Sequence, residues 1–286
     1  MPTLRRDKGR LLTAGLDHIN KQKLKAELEN LYERMNKREF VHPDPLELLY
    51  DYNDIREREI AGLVVSCLAY GNVTQILKSS KKVLHILGSS PLSYLANLDG
   101  KKAYGDFKDF KHRFTTGDEM AQLLVGLSGT IKKYETLENL ISEKLEGSNN
   151  NLIPALTGFV DEICRHSGCG FPHLLPNPIN GSACKRLLLY FKWMVRHDDV
   201  DPGGWNISPS TLLIPVDRHM HKIACGLGIT QKKSANLKTA IEITDYFRSI
   251  SPDDPTKYDF VLTRFGIRKE FDRDEEVKAI CEKCLD

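Results

Sequence analysis

The sequence predicts an all-α fold, and three observations predict it. Apolar residues recur at helical spacing along most of the chain, and alternating strand patterns are scarce. Two segments, 57–70 and 182–196, are apolar almost all round, as helices in the middle of a bundle are. Breakers separate the periodic runs: Gly71-Asn72 closes the first apolar segment, and glycine, proline and asparagine crowd 167–181. With 286 residues, 41% of them apolar and 28% charged, the chain can bury a sizeable core.

In chain order, 22–37 predicts an amphipathic surface helix with Leu24, Leu28, Leu31 and Met35 on its apolar face. Asp44-Pro45 opens a second, with Asp44 as its cap and Pro45 in the first turn. The buried segment 57–70 follows, then a helix over 74–87. Further helical runs cover 118–134, 137–145 and 152–166, the last two separated by a polar loop tip at 147–151. The second buried segment, 182–196, leads into a long acidic loop, 197–211. Helices over 217–227, 235–250, 257–267 and 274–284 complete the chain.

Bulk properties exclude several classes of function. A formal net charge of +2 gives no global field for nucleic acid, so any such affinity must come from local patches. Basic clusters stand at Lys78, Lys81 and Lys82, and again over 101–113, where Tyr104, Phe107 and Phe110 interleave with lysines. Both read equally as solvated faces or as phosphate contacts. Seven scattered cysteines do not form a disulfide framework and imply a reducing compartment. No apolar signal region follows the basic residues of 1–10, and the most apolar run, 60–69, is too short to span a bilayer. The reading is a cytoplasmic protein with no membrane partner and no obligate protein partner.

Chemistry concentrates in two segments. One runs 173–191 as helix, Asn177-Pro178-Ile179-Asn180-Gly181 hairpin and buried helix. The other runs 212–229: a short apolar stretch ending in Val216, then Asp217 at the start of a helix, then Arg218 and His219. A carboxylate at a helix N-terminus is held ionised and fixed. Such a group stabilises positive charge building on a sugar's anomeric carbon when an N-glycosidic bond breaks. Lys185, at the mouth of the other helix, is an amine that can attack the same carbon if desolvation or a cationic neighbour such as Arg186 activates it. The hairpin amides near Gly181 and Ser182 make a phosphate cradle. Each residue also has a plainer reading: Asp217 as an N-cap, Lys185 as a surface lysine with a buried stem, His219 as a structural hydrogen-bonder.

The 214–224 motif resembles the signature of helix–hairpin–helix DNA glycosylases such as endonuclease III and the oxoguanine glycosylases. The resemblance is specific at Asp217 and looser over about two thirds of the chain. It implies a catalytic role for Asp217, with Lys185 as the amine of a bifunctional member and His219 beside them. Implied or candidate DNA contacts are Asn72, Gly181, Ser182, Arg186, Lys81, Lys82 and Arg218, with Gly71-Asn72-Val73-Thr74 at the damaged base pair. It further implies two helical lobes, 60–211 and 1–59 plus 212–286, with Asp217 and Lys185 across an interlobe cleft. Thirty-two positions separate Lys185 from Asp217, more than in those enzymes, and the excess is the acidic loop, which would narrow a DNA-sized approach. The tail carries only Cys281 and Cys284, so no iron–sulfur cluster is expected. Cys164, His166, Cys169 and His173 match no standard zinc spacing, and no metal or other cofactor is expected. The expected function is a base-excision glycosylase acting on DNA, with lyase activity if Lys185 attacks. The rivals are a binding module of the same fold that has lost its chemistry, and a hydrolase of free nucleosides.

Overall fold

The computed structural model describes residues 19–168 and 173–285. Thirteen α-helices account for most of them, with one two-stranded hairpin, so the all-α expectation holds. No helix among the described residues is long and apolar enough to cross a membrane.

Helix α1 (Lys21–Met35) starts because the Asn20 side chain accepts from the amides of Gln22 and Lys23, and it buries the four apolar residues at helical spacing. Asp44 caps the next segment as expected, but Pro45–Asp51 is a 3-10 turn. Helix α2 (Ile55–Leu68) buries every residue from Glu59 to Leu68. The lack of a side chain at Gly62 lets Tyr190 and Leu49 come close against it.

Helix α3 (Val73–Leu87) is capped by Asn72. The basic, aromatic stretch near 101–113 resolves into elements the periodicity did not separate: α4 (Pro91–Ala96), α5 (Gly100–Phe107) and a hairpin pairing β1 (Lys111–His112) with β2 (Thr115–Thr116). Phe107 and Phe110 point into the core here, while Lys101, Lys102, Lys108 and Lys111 stay exposed. Helix α6 (Gly117–Tyr134) opens on a reciprocal capping box between Thr116 and Glu119. Helices α7 (Leu137–Glu146) and α8 (Leu152–Ser167) pack around it.

The second apolar run begins later than expected. Helix α9 spans Lys185–Val195, because Cys184 adopts a left-handed conformation (φ 46°, ψ 33°) that cannot continue a helix backwards. Its buried thiol donates to the Pro176 carbonyl at 3.3 Å and holds the turn. Helices α10 (Arg218–Gly226), α11 (Leu237–Arg248), α12 (Asp259–Ile267) and α13 (Arg273–Cys284) follow. Helix α2 packs on α3, α4 and α9; α10 packs on α12 and α13; α1 returns to α13. The buried apolar side chains form one connected cluster.

The acidic segment after α9 is a clasp. Arg196 pairs with Asp198, Asp201 and Asp254. Asp198 also accepts from the amides of Val200 and Asp201 and from Tyr32. Trp205 is buried, as a packed anchor would be, and its indole donates to Glu59 at 3.0 Å. Burial pushes the Glu59 carboxyl up to about 7, against the pull of the Leu137 amide, the indole and the Glu138 amide.

Candidate functional site

Asp217 stands where a buried apolar run, Leu212 to Val216, meets α10. Ile214 fixes that run by donating its amide to Thr244 Oγ1 at 2.9 Å. One carboxylate oxygen, Oδ1, accepts from the amides of His219 (2.8 Å) and Met220 (2.9 Å). Asp217 is thus an N-cap, and its Oδ2 has no hydrogen-bond partner among the described residues. Lys185 is the first residue of α9, half-buried, with no hydrogen bond or ion pair to any described residue. Both residues line one cavity of about 550 Å³, a size suited to a small-molecule-sized group.

The same cavity takes in His219, Arg218, Asn72 and Gly71. The imidazole of His219 lies against Gly266 of α12, and its buried Nδ1 has no hydrogen-bond partner. Burial, more than the opposing pull of Asp217, lowers its pKa and favours the neutral ring. Arg218 is exposed at the rim. The Asn72 side chain is committed to the Thr74 amide at 3.0 Å, so its part at the rim is mainly that of a cap.

Other sequence-derived candidates lie outside the cavity. Lys81 and Lys82 are exposed on α3, with Lys78 and Thr74, on the face that leads away from Asn72. The hairpin residues Gly181 and Ser182 pair with the start of α11: Leu237 donates its amide to the Gly181 carbonyl, and Ser182 bridges to the cap residue Asn236. The helix does not start at Ser182, so the free amides of α9 belong to the turn after Cys184 instead. Arg186 does not sit beside the Lys185 amine as an activating cation. Its guanidinium turns inward, donating to the carbonyls of Cys67 and His173 and covering the Tyr70 ring at 4.9 Å. No carboxylate of the acidic loop lines the cavity: Asp198 and Asp201 pair with Arg196, Asp201 also stands 3.8 Å from Lys192, and Asp199 is exposed.

Cys164, His166 and His173 form no metal-holding group among the described residues, and Cys169 lies outside them. His166 instead approaches Glu162 at 3.2 Å, and His173 packs edge-on to Tyr70 and Phe114.

Three features escaped the sequence reading. Lys192 and Asp259, paired at 2.8 Å, line the deep end of the cavity. Burial works against the Lys192 ammonium, but Asp201 and Asp259 outweigh it and keep it charged. The spacing from Lys185 to Lys192, two helical turns, was a signal for the lysine; Asp259 had none. The third feature is the hairpin turn Arg113-Phe114. Phe114 is 71% exposed, and Arg113 (φ 53°) lies across Gly71, whose missing Cβ leaves room for its guanidinium at the cavity's edge.

Fold and site together define an all-helical protein in which an amine and a carboxylate from two helix N-termini share one polar cavity. The chain belongs to the DUF2400 family: residues 44–268 match that family's model, whose description is a protein of unknown function. No curated protein and no solved structure matches the chain.

Proposed function

We propose that the protein is a DNA base-excision glycosylase of the two-lobed helix–hairpin–helix kind, with the cavity as its interlobe active site. One observation carries the reading: Lys185 and Asp217 line the same cavity, the amine without a partner and the carboxylate with one oxygen uncommitted. In the reaction, Asp217 stabilises the oxocarbenium character at C1′ as the bond to the base breaks. The Lys185 lone pair forms the new C–N bond, the departing base takes the old bonding pair, and an amine proton ends on the base. The exposed lysines of α3, outside the cavity, and the Arg113-Phe114 turn beside Gly71 supply surfaces for phosphates and for an unstacked duplex. His219 has a packing role in this scheme. The small net charge favours a second reading, cleavage of a free nucleoside in the same cavity.

Incubation with a panel of lesion-bearing duplexes and free nucleosides, read as abasic-site formation or free-base release, separates the two. Asp217→Asn keeps a good cap and the fold, and base release is expected to fall by 100-fold or more, about 3 kcal/mol of transition-state stabilisation. Lys185→Gln is expected to abolish any borohydride-trapped adduct. Full activity in a folded Asp217→Asn protein would return Asp217 to the role of a plain helix cap.

A further inference from the structure

We propose that the Arg113-Phe114 turn is a stacking site for an unpaired base, so that the protein engages nucleic acid where bases lie open and not along intact duplex. The inference rests on nucleic acid as the partner in the glycosylase reading and adds the state of the strand.

The turn is built to display its ring. His112 pairs with Thr115 across the β1–β2 hairpin, which leaves Arg113 and Phe114 as the two turn residues. Two-residue hairpin turns favour glycine or asparagine where φ is positive, yet Arg113 takes φ 53°. The residues on either side are buried, His112 at 3% and Thr115 at 0% exposure, while Phe114 is 71% exposed. The Tyr70 hydroxyl donates to the His112 carbonyl at 2.7 Å and meets Thr115 Oγ1 at 2.7 Å. His112 Nδ1 meets Ser79 Oγ of α3 at 2.9 Å. The tip is therefore a fixed projection whose phenylalanine adds little to the core. An unfavourable backbone conformation that serves only to present an exposed ring marks a position kept for contact.

The surroundings define the contact. Tyr70 and Gly71, the two residues on which the turn rests, both line the cavity. Arg113 lies across Gly71, 5.5 Å from the centroid of the Phe114 ring, and enters no ion pair among the described residues. Over 108–116 the cations Lys108, Lys111 and Arg113 stand against one acid, Asp109. Lys78 and Lys82 flank Ser79 on α3, both exposed, and Lys82 reaches the Asp109 carbonyl at 3.5 Å. No other large apolar side chain of the hairpin is exposed. The surface thus offers one flat ring among cations, not the apolar core that a protein partner buries. That pairing fits a nucleobase joined to its phosphates: the base stacks on the ring and the cations meet the backbone. Bases inside an intact duplex are stacked on one another, so a free face is presented only where a base has left its pair.

The test is anisotropy titration of the full-length protein at one salt concentration with three labelled oligonucleotides: a single strand, a duplex with one base bulged at its centre, and a fully paired duplex of equal length. The wild type is expected to bind the first two about ten-fold or more tighter than the third. Phe114→Ala should lose that preference and keep its affinity for paired duplex, which phosphate contacts supply. Phe114→Trp should keep the preference, and its emission should be quenched by the single strand. The chain's own tryptophans, Trp193 and Trp205, are buried, which leaves an exposed indole readable. Equal or weaker binding of the unpaired forms by the wild type, no binding of any form, a preference that survives in folded Phe114→Ala, or an unquenched indole overturns the proposal. If Phe114→Ala does not melt cooperatively, the wild-type preference and the indole decide. Neither readout needs turnover. A protein that shows the Phe114-dependent preference yet releases no base overturns the glycosylase reading and keeps this one, and a protein that releases base without the preference does the reverse.

Discussion

Gly266 and His219 show how one position can carry a site without touching its chemistry. A Cβ at Gly266 would stand 2.1 Å from His219 Nδ1 and 2.7 Å from its Cγ. A glycine inside a helix costs about 1 kcal/mol relative to alanine, so its presence in α12 is explained by the imidazole lying there. That contact brings α10, with Asp217 at its cap, close onto α12, with Asp259 at its start. Gly266→Ala is expected to lower stability by about 1–3 kcal/mol in denaturant melts. In a His219→Ala background most of that loss should disappear; equal losses in both backgrounds would show that the ring is not the obstacle. His219 was conspicuous in the sequence because it follows Asp217 by two, and its packing against α12 was not. Gly266 carried no signal, since its partner lies 47 positions earlier in the chain.

Among the elements, α9 and the clasp after it differ most from what periodicity implied. The segment 197–211 looked like a loop because its aspartates and glycines break helices, and no α-helix forms there, only a 3-10 turn at Pro209–Thr211. What periodicity could not convey is that two of its acids, Asp198 and Asp201, have partners. Burial works to raise the Asp198 carboxyl, but Arg196, the amides of Val200 and Asp201, and Tyr32 outweigh it and hold it below its ordinary value of 3.8. A carboxyl depressed on folding adds stability that is present above its ordinary value and is lost as pH falls through the folded one. Asp198→Asn is therefore expected to cost about 1–3 kcal/mol near neutrality. The gap to wild type should close as pH is taken below 3.8 in parallel melts. A gap independent of pH would mean that the carboxylate charge contributes nothing there. The clasp turns Asp198 and Asp201 of the acidic insertion inward onto Arg196 and leaves Asp199 as its exposed carboxylate.

At the scale of the whole molecule, a net charge of +2 hides an uneven distribution. Acidic groups are drawn inward at Asp198, Asp201 and Asp259, while Lys78, Lys81 and Lys82 stay on the exposed face of α3 and Arg218 on the cavity rim. If that face meets phosphates, DNA affinity is expected to fall steeply with salt. Charge reversal at both Lys81 and Lys82 should weaken binding to all sequences alike and reduce the salt slope by roughly two. Titrations of labelled duplex at several salt concentrations measure both quantities. A slope untouched by the double reversal would move the phosphate path off α3.

The sequence by itself determined the helical class, the bounds of most helices within a few residues, and the placing of Asp217 at a helix start, because periodicity and capping are local and leave their pattern in neighbouring residues. It also marked Lys185 as a basic residue at the opening of a buried helix, although the left-handed Cys184, held by the Pro176 carbonyl, moved that opening to Lys185 itself. Only the tertiary structure decided that Lys185 and Asp217 line one cavity, that Arg186 faces inward, and that Lys192 meets Asp259 across 67 positions of chain. Those outcomes depend on how α9, α10 and α12 pack, and packing is settled by long-range contacts whose partners no local pattern names.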